Sequence, residues 1–318
     1  MTRRRSTLAA VVLALVATTA LALTTVTAAA AATTAKSAAP TWRVGDCYTR
    51  GNVDFDVVDL TSKVACSKEH GLQVVGGAPL PSALAAAGLD ALTDRTSAVR
   101  PQLLDFVRAT CAPGEVVANL YPKATAKRLA ALFAQHKVSD WMPPAGGQMG
   151  WVMPDPDSFA AGATDVLCVH ITNRAIHGTT AGDLRDISTN ATLPDQRLCG
   201  RFRADGLGSD GVGCDTVHDI ESLLWVGLDV TGKPADAQTW TATDWADLDA
   251  ACAQFATAVI GAHRSDIVVN ADTDPTQAPI DGNRFFNCRA YPKVETQAFP
   301  ANVILTALGN AKIHFTKP

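Results

Sequence analysis

Apolar positions along this chain fall into two regimes. The first is an almost unbroken run: from Leu8 to Leu23 the residues are Ala, Val and Leu apart from Thr18 and Thr19. Arg3, Arg4 and Arg5 precede it, and the small residues Ala28 to Ala32 follow. A basic start, a short apolar core and an A-x-A-like cleavage site predict a secretory signal peptide over residues 1–32. The run is short against the ~20 residues that a membrane span requires. No Cys stands near the cleavage region, so a lipid anchor has no attachment point there. Residues 33–41 read as a loose leader, and Trp42 opens the ordered part.

After Trp42 the apolar positions become periodic. Short apolar runs predict strands over 42–48, 57–65 and 72–75. Helical spacing follows over 82–92, 99–111 (with Pro101 in the first turn) and 124–136. Closing strands are expected over 149–153 and 166–171. The second half repeats the sequence of types: strands over 196–202, 211–214, 222–230 and 285–291, with a helix over 245–260. Asp244 occupies the expected N-cap position of that helix. Strands, then helix, then strand predict an α+β protein, each half a small, mostly antiparallel sheet with helices on one face.

Eight cysteines follow the leader: Cys47, Cys66, Cys111, Cys168, Cys199, Cys214, Cys252 and Cys288. An even number in an exported chain reads as four disulfides. No C-x-x-C occurs, which argues against a zinc ribbon and a thioredoxin-like site. Cys66 begins C-x-x-x-H ending at His70, and Cys214 begins C-x-x-x-H ending at His218. Each is preceded by a Cys and followed by an apolar segment ending in Val-Gly. A Cys in a helical pattern and a Cys in a short apolar run come next. One four-cysteine module is used twice, the second copy trimmed near its C-terminal end. The copies are expected at 42–172 and 196–293, separated by a linker at 173–195 and followed by a tail at 294–318. Connectivity is not fixed by sequence. First-to-second and third-to-fourth pairing within each copy is favoured, because it clips neighbouring strands and ties a helix to a closing strand.

The balance is 27 Lys+Arg against 31 Asp+Glu, and the signal peptide carries three of the arginines. No basic stripe remains, which argues against nucleic acid as a partner.

The first copy holds Trp42-Arg43-Val44-Gly45-Asp46-Cys47-Tyr48, then Val64-Ala65-Cys66, His70 and Val74-Val75-Gly76. Cys111, the block Trp141-Met142-Pro143-Pro144, Trp151 and Cys168 complete the set. These residues resemble the septum formation domain family of actinobacterial envelope proteins. The second copy keeps Cys214, His218, Cys252, Gly282 and Cys288, but lacks the Gly-Asp-Cys opening and the Trp-x-Pro-Pro block. The resemblance spans most of residues 42–293. It implies an extracytoplasmic domain associated with septation and brings no reaction, cofactor or catalytic residues.

Motifs for chemistry are sparse. Gly206 to Gly211 spells G-x-G-x-x-G, but the strand and helix of a dinucleotide site are not around it, so a Gly-rich hairpin turn is expected. Asp272-Thr273-Asp274 with Asp281-Gly282 lacks the EF-hand spacing and reads as a solvated loop. No metal or cofactor site is assigned. His70 and His218 are the candidate polar positions. The favoured role, over a metal ligand or a general base, is a half-buried imidazole that bonds a loop carbonyl beside a disulfide, since an oxidised Cys cannot ligate metal and no acid–nucleophile pair is evident. Trp141 and Trp151, with Trp240 and Trp245, are candidates for an aromatic surface that stacks on glycan, set against ordinary core packing. The sequence therefore points to an exported, non-enzymatic envelope protein that binds or scaffolds, with envelope or division proteins or cell-wall glycan as partners. The competing expectation is a cell-wall polymer hydrolase with an unrecognised site.

Overall fold

Strand and helix boundaries follow the cysteine framework. A computed structural model of the protein describes residues 40–49, 57–143, 148–171, 184, 199–203, 209–273, 278–280 and 282–318. The expected signal peptide and nearly all of the expected linker lie outside them. Among the described residues no helix is long and apolar enough to cross a membrane.

In the first copy, β1 (Cys47–Tyr48), β2 (Val57–Val58), β3 (Lys63–Val64) and β4 (Leu72–Pro79) precede five helices. These are α1 (Ser82–Ala87), α2 (Leu89–Thr93), α3 (Arg100–Thr110), α4 (Pro113–Leu120) and α5 (Lys123–Gln135). Then come β5 (Trp141–Met142), β6 (Gln148–Pro154), α6 (Pro156–Ala161) and β7 (Asp165–Ile171). The second copy has β8 (Cys199–Phe202), β9 (Ser209–Val212), β10 (Ile220–Asp229), α7 (Ala242–Ile260), β11 (Ile267–Asp272), β12 (Asn283–Pro292) and α8 (Leu305–Leu308). The protein is α+β, with one sheet per copy.

The sheets repeat one topology. The first runs β2-β6-β7-β4-β1-β3 and the second β11-β12-β10-β8-β9. With β2 set aside, the two orders correspond strand for strand, and the pairing is antiparallel throughout except for β2 with β6. The register repeats too. Cys47 faces Gln73 across the first sheet and Cys199 faces Glu221 across the second. Each central strand carries a bulge at the same place, between Val74 and Gly76 in β4 and between Ser222 and Leu224 in β10. The disulfides are Cys47–Cys66, Cys111–Cys168, Cys199–Cys214 and Cys252–Cys288, so the favoured pairing holds and no bridge joins the copies.

The helix behind each sheet differs in one respect. Cys252 lies in the middle of the continuous 19-residue α7. Its counterpart Cys111 lies at a break between α3 and α4. Pro113 has no N–H and its ring clashes with the preceding turn, so the chain restarts there as a new helix. Gly88, at φ +82°, likewise divides the expected helix over 82–92 into α1 and α2. The expected strand over 42–48 shortens to Cys47–Tyr48 because Gly45, at φ +91°, turns the chain before it. The expected N-cap Asp244 is instead the third helical residue of α7. Thr241 caps the helix, accepting from the Asp244 amide at 3.3 Å, and the Asp244 carboxylate accepts from the Thr241 amide at 2.9 Å. These bonds and the Lys233 ammonium hold Asp244 down to about 2.

Both copies belong to one compact unit. Helices α3 and α4 pack on the first sheet, α7 packs on the second, and α5 bridges α4 to α7. One apolar core runs from Val75 and Cys168 through Leu120, Leu129 and Phe133 to Phe255, Leu224 and Phe286. The Phe133 and Phe255 rings meet at 5.7 Å across the boundary. Strand β5 of the first copy joins the second sheet, with Met142 opposite Trp225 and Trp141 opposite Val226. Neither α5 nor β5 has a counterpart in the second copy, where the chain passes from α7 to β11. This is the trimming expected from the cysteine spacing.

The segments after the closing strands are anchored alike. Gln73 and Glu221 are fully buried at corresponding positions. The Gln73 side-chain oxygen accepts from the Leu184 amide at 2.8 Å, and the Glu221 carboxylate accepts from the Leu305 amide at 2.9 Å. Both leucines are fully buried. Residues 294–318, expected as a tail, bury Phe299, Ile304, Leu305 and Ile313 and complete the second copy.

Replacing Cys252 and Cys288 together by Ala should lower the stability by about 4 kcal/mol, the chain-entropy value for a loop of this length, and the Tm by ~10 °C. Thermal melting checks this, and non-reducing peptide mapping of the wild type should return the four pairs above. An unchanged Tm would remove this bridge from the account of what holds the helix to its sheet.

Candidate functional site

The two histidines occupy equivalent corners, one per sheet, and do not meet in one site. His70 and His218 are 3% and 0% exposed. Each places Nδ1 2.8 Å from the carbonyl two residues earlier, Lys68 in the first copy and Thr216 in the second. In the second copy His218 also pairs backbone to backbone with Phe299 and packs its ring 5.3 Å from that phenyl ring. Burial pushes the His218 pKa below the ordinary imidazole value, against the Thr216 hydrogen bond and the Asp219 charge. The neutral ring therefore donates from Nδ1 to Thr216. A nitrogen of His218 lies within 4.8 Å of both sulfurs of Cys199 and Cys214. Those sulfurs are spent in a disulfide, and the thiolates a metal would need are not there.

The tryptophans serve two purposes. Trp141 is 2% exposed and packs 5.5 Å from Phe133 and 6.1 Å from Tyr121. It seals the seam between the copies and offers no free ring face. Trp151 is half-buried, with the Arg100 guanidinium 4.9 Å above its ring. Both line a groove of about 480 Å³ with Arg108, Ser139 and Asp140. Burial raises the Asp140 pKa, opposed by the hydrogen bond from the Trp141 amide at 2.8 Å. Trp240 and Trp245 lie apart from these. They pack on each other at 5.0 Å, with Trp240 against Phe286.

The more informative surface is the sheet face turned away from the helices. In β12 the fully buried Phe286, Cys288 and Ala290 share the face that Cys288 ties to α7, so Phe285, Asn287, Arg289 and Tyr291 take the other. The first sheet keeps this outer face apolar and covered. Tyr48, Val74, Val152, Leu167 and Val169 form a buried cluster with Val58 of β2 and Leu60 from the segment between β2 and β3. Trp42 lies over Gly77 so closely that a Cβ there would come within 2.9 Å of the indole.

Matched through the cysteines and the strand registers, the same positions in the second copy are Gly200, Ser222, Asp272, Asn287 and Arg289. Trp225 stands where the first copy has Gly77. Two neighbouring clefts open on this face. The larger, about 580 Å³, has Phe202, Asp219, Asn270, Tyr291, Lys293 and Glu295 in its lining. The smaller, about 190 Å³, lies against Gly200, Ser222, Trp225, Asn287 and Arg289. Phe202 is 57% exposed and stacks on Tyr291 at 6.0 Å with rings 12° apart. Ser222 donates to Asn287 at 2.6 Å, Arg289 pairs with Asp272 at 2.6 Å, and the Asp219 carboxylate accepts from the Phe202 amide at 2.9 Å.

No family model, no curated protein and no solved structure matches this chain.

Two sequence expectations meet the structure here. β8 and β9 pair as an antiparallel hairpin, Phe202 opposite Ser209, so the Gly-rich run connects two strands. Residues 206–208 of that run lie outside the described residues. Asp272 is not in a solvated loop: it ends β11, and burial raises its pKa against the pull of Arg289. Asp274 and Asp281 lie outside the described residues. Sequence reasoning missed Phe202, Asp219, Trp225, Asn287, Arg289 and Tyr291. The readable signal was the contrast between Asp165–Ile171, an apolar DVLCVHI, and Asn283–Pro292, an alternating NRFFNCRAYP.

A depressed imidazole pKa has a fixed consequence for stability. Below the ordinary value of 6.5 the unfolded chain takes a proton that folded His218 resists, so stability is lost as pH falls from there toward the folded pKa. Melting curves between pH 7.5 and 5 should show this loss. His218→Gln should flatten that part of the slope and cost about 1 kcal/mol at pH 7.5 through the altered hydrogen bond. Parallel slopes for variant and wild type would contradict a neutral buried His218.

Proposed function

We propose that this chain is an exported, non-enzymatic binding module of the cell envelope, acting at the septum, whose binding surface is the outer face of the second sheet. The observation that carries this reading is the contrast between two sheets of one topology. One outer face is apolar and sealed, and the other is polar, aromatic and open. Four disulfides support an oxidising, extracytoplasmic location, as does the signal-like N-terminus. The septal role is supported by the resemblance of the first copy, from Trp42 to Cys168, to the septum formation domain family.

The competing reading is a cell-wall polymer hydrolase. Asp219 and Glu295, two carboxyls in the lining of one cleft, are the pair it would use. The carboxyls with raised pKa, Asp140 and Asp272, are elsewhere: one in the groove beside Trp151, the other paired with Arg289 at the end of β11.

Purified secreted protein should be retained by washed cell envelopes and should release no reducing ends from peptidoglycan. A fluorescent fusion should concentrate at division septa. Release of reducing ends that disappears in Asp219→Asn would replace the binding reading with the hydrolase. Uniform distribution around the cell would remove the septal part of the proposal.

A further inference from the structure

We infer that the outer face of the second sheet is an oligosaccharide-binding surface, on which a pyranose ring stacks against Phe202 while its hydroxyls engage Asp219, Asn270 and Arg289. The inference rests on the binding-module reading and names its ligand class.

The first support is what the replacements between the copies became. A sheet face that lost its cover and needed only solubility would take flexible, fully exposed charges. Here the replacements are fixed. Ser222 and Asn287 are each 2% exposed and bonded to one another, and Arg289 is held by Asp272. Asp219 is 5% exposed, with its carboxylate oriented by the Phe202 amide. Buried polar groups are costly unless satisfied, and when satisfied they are rigid. Such groups around an open cleft make a preorganised hydrogen-bonding floor.

The second support is the match to sugar chemistry. A pyranose has a face of C–H groups and a rim of hydroxyls that both donate and accept. An exposed aromatic ring complements the face, and planar carboxylate, amide and guanidinium groups complement the rim. Phe202 offers a ring 57% exposed, backed by Tyr291, and Trp225 stands half-buried beside the smaller cleft. Gly200 and Gly211 carry no side chain over that cleft, and a Cβ on Gly211 would meet nothing within 4 Å. The charges of the face are mixed, Asp219, Asp272 and Glu295 against Arg289 and Lys293, which suits a neutral ligand. A nucleic acid would meet three carboxylates, and an acyl chain would strand the Ser222–Asn287 pair beneath it. Together the two clefts follow the chain from Asn287 to Lys293, about 20 Å of strand at ~3.3 Å per residue.

The experiment is calorimetric titration of the secreted protein with chitotetraose, cellotetraose and mannotetraose, beside envelope retention of the same preparations. At least one sugar should bind. Phe202→Ala and Trp225→Ala should each weaken it at least about tenfold, the loss of one aromatic contact, and should reduce envelope retention in parallel. Lys127→Ala, exposed on α5 among the helices behind the sheets, should change neither. Circular dichroism and melting of each variant separate lost binding from lost folding. Should Trp225→Ala unfold, Phe202→Ala alone decides. Binding of none of the three sugars, or binding indifferent to Phe202→Ala, overturns the inference. If envelopes still retain the protein in that case, the binding-module reading stands with another ligand or another surface. If retention fails as well, both fall.

Discussion

Each sheet is bolted to the helix behind it by one disulfide, Cys111–Cys168 in the first copy and Cys252–Cys288 in the second. The bond enters the closing strand next to the central one, at a residue with no exposure, so it fixes which face of the sheet looks inward. With strand period two, that choice assigns every alternate residue on five strands. The bulges at Val75 and Leu223, placed alike in both copies, let the central strand satisfy this constraint and still keep its pairing at both ends. The inner faces and the helices then merge into one core spanning both copies.

Given that frame, the copies diverged where the frame leaves freedom. The features that both retain are those that close the module: four cysteines, the C-x-x-x-H corner, the bulge, and a buried amide or carboxylate that holds a leucine amide. The outer face is bound by none of these. In the first copy it packs under the segment between β2 and β3. In the second the disulfide closes a shorter loop, 15 residues against 19, with a hairpin in place of that cover. The outer-face residues of that sheet are correspondingly polar or glycine.

Much of this was legible in the sequence because covalent bonds are. Cysteine order, the repeated His and the linked strands and helix gave the α+β class and the duplication, and they favoured the pairing without fixing it. What escaped reading depended on partners distant in the chain. α4 was hidden because Pro113 splits what the cysteine alignment presents as one helix. β11, with Ile267 to Asp272 mixing apolar and polar side chains, is a strand only because β12 lies beside it. Trp141 looks like a surface aromatic in a Pro-rich block, but the second copy covers it. Phe202 and Tyr291 are 89 positions apart, and no local pattern brings them together. His70 and His218 were the easier case, since a neighbour two residues away defines their role.

Strand β5 carries an evolutionary consequence. When one copy lends a strand to the sheet of the other, and α5 supplies part of the packing on α7, the tandem ceases to be two exchangeable parts. Reversing the order of the copies would leave the lending segment with no recipient downstream. A lineage that kept a single module with α5 and β5 would expose both to solvent, and self-association would be the simplest way to cover them. Fusion of two modules in one chain converts that encounter between molecules into a fixed neighbour, and it frees one of the two from preserving the lending segment at all.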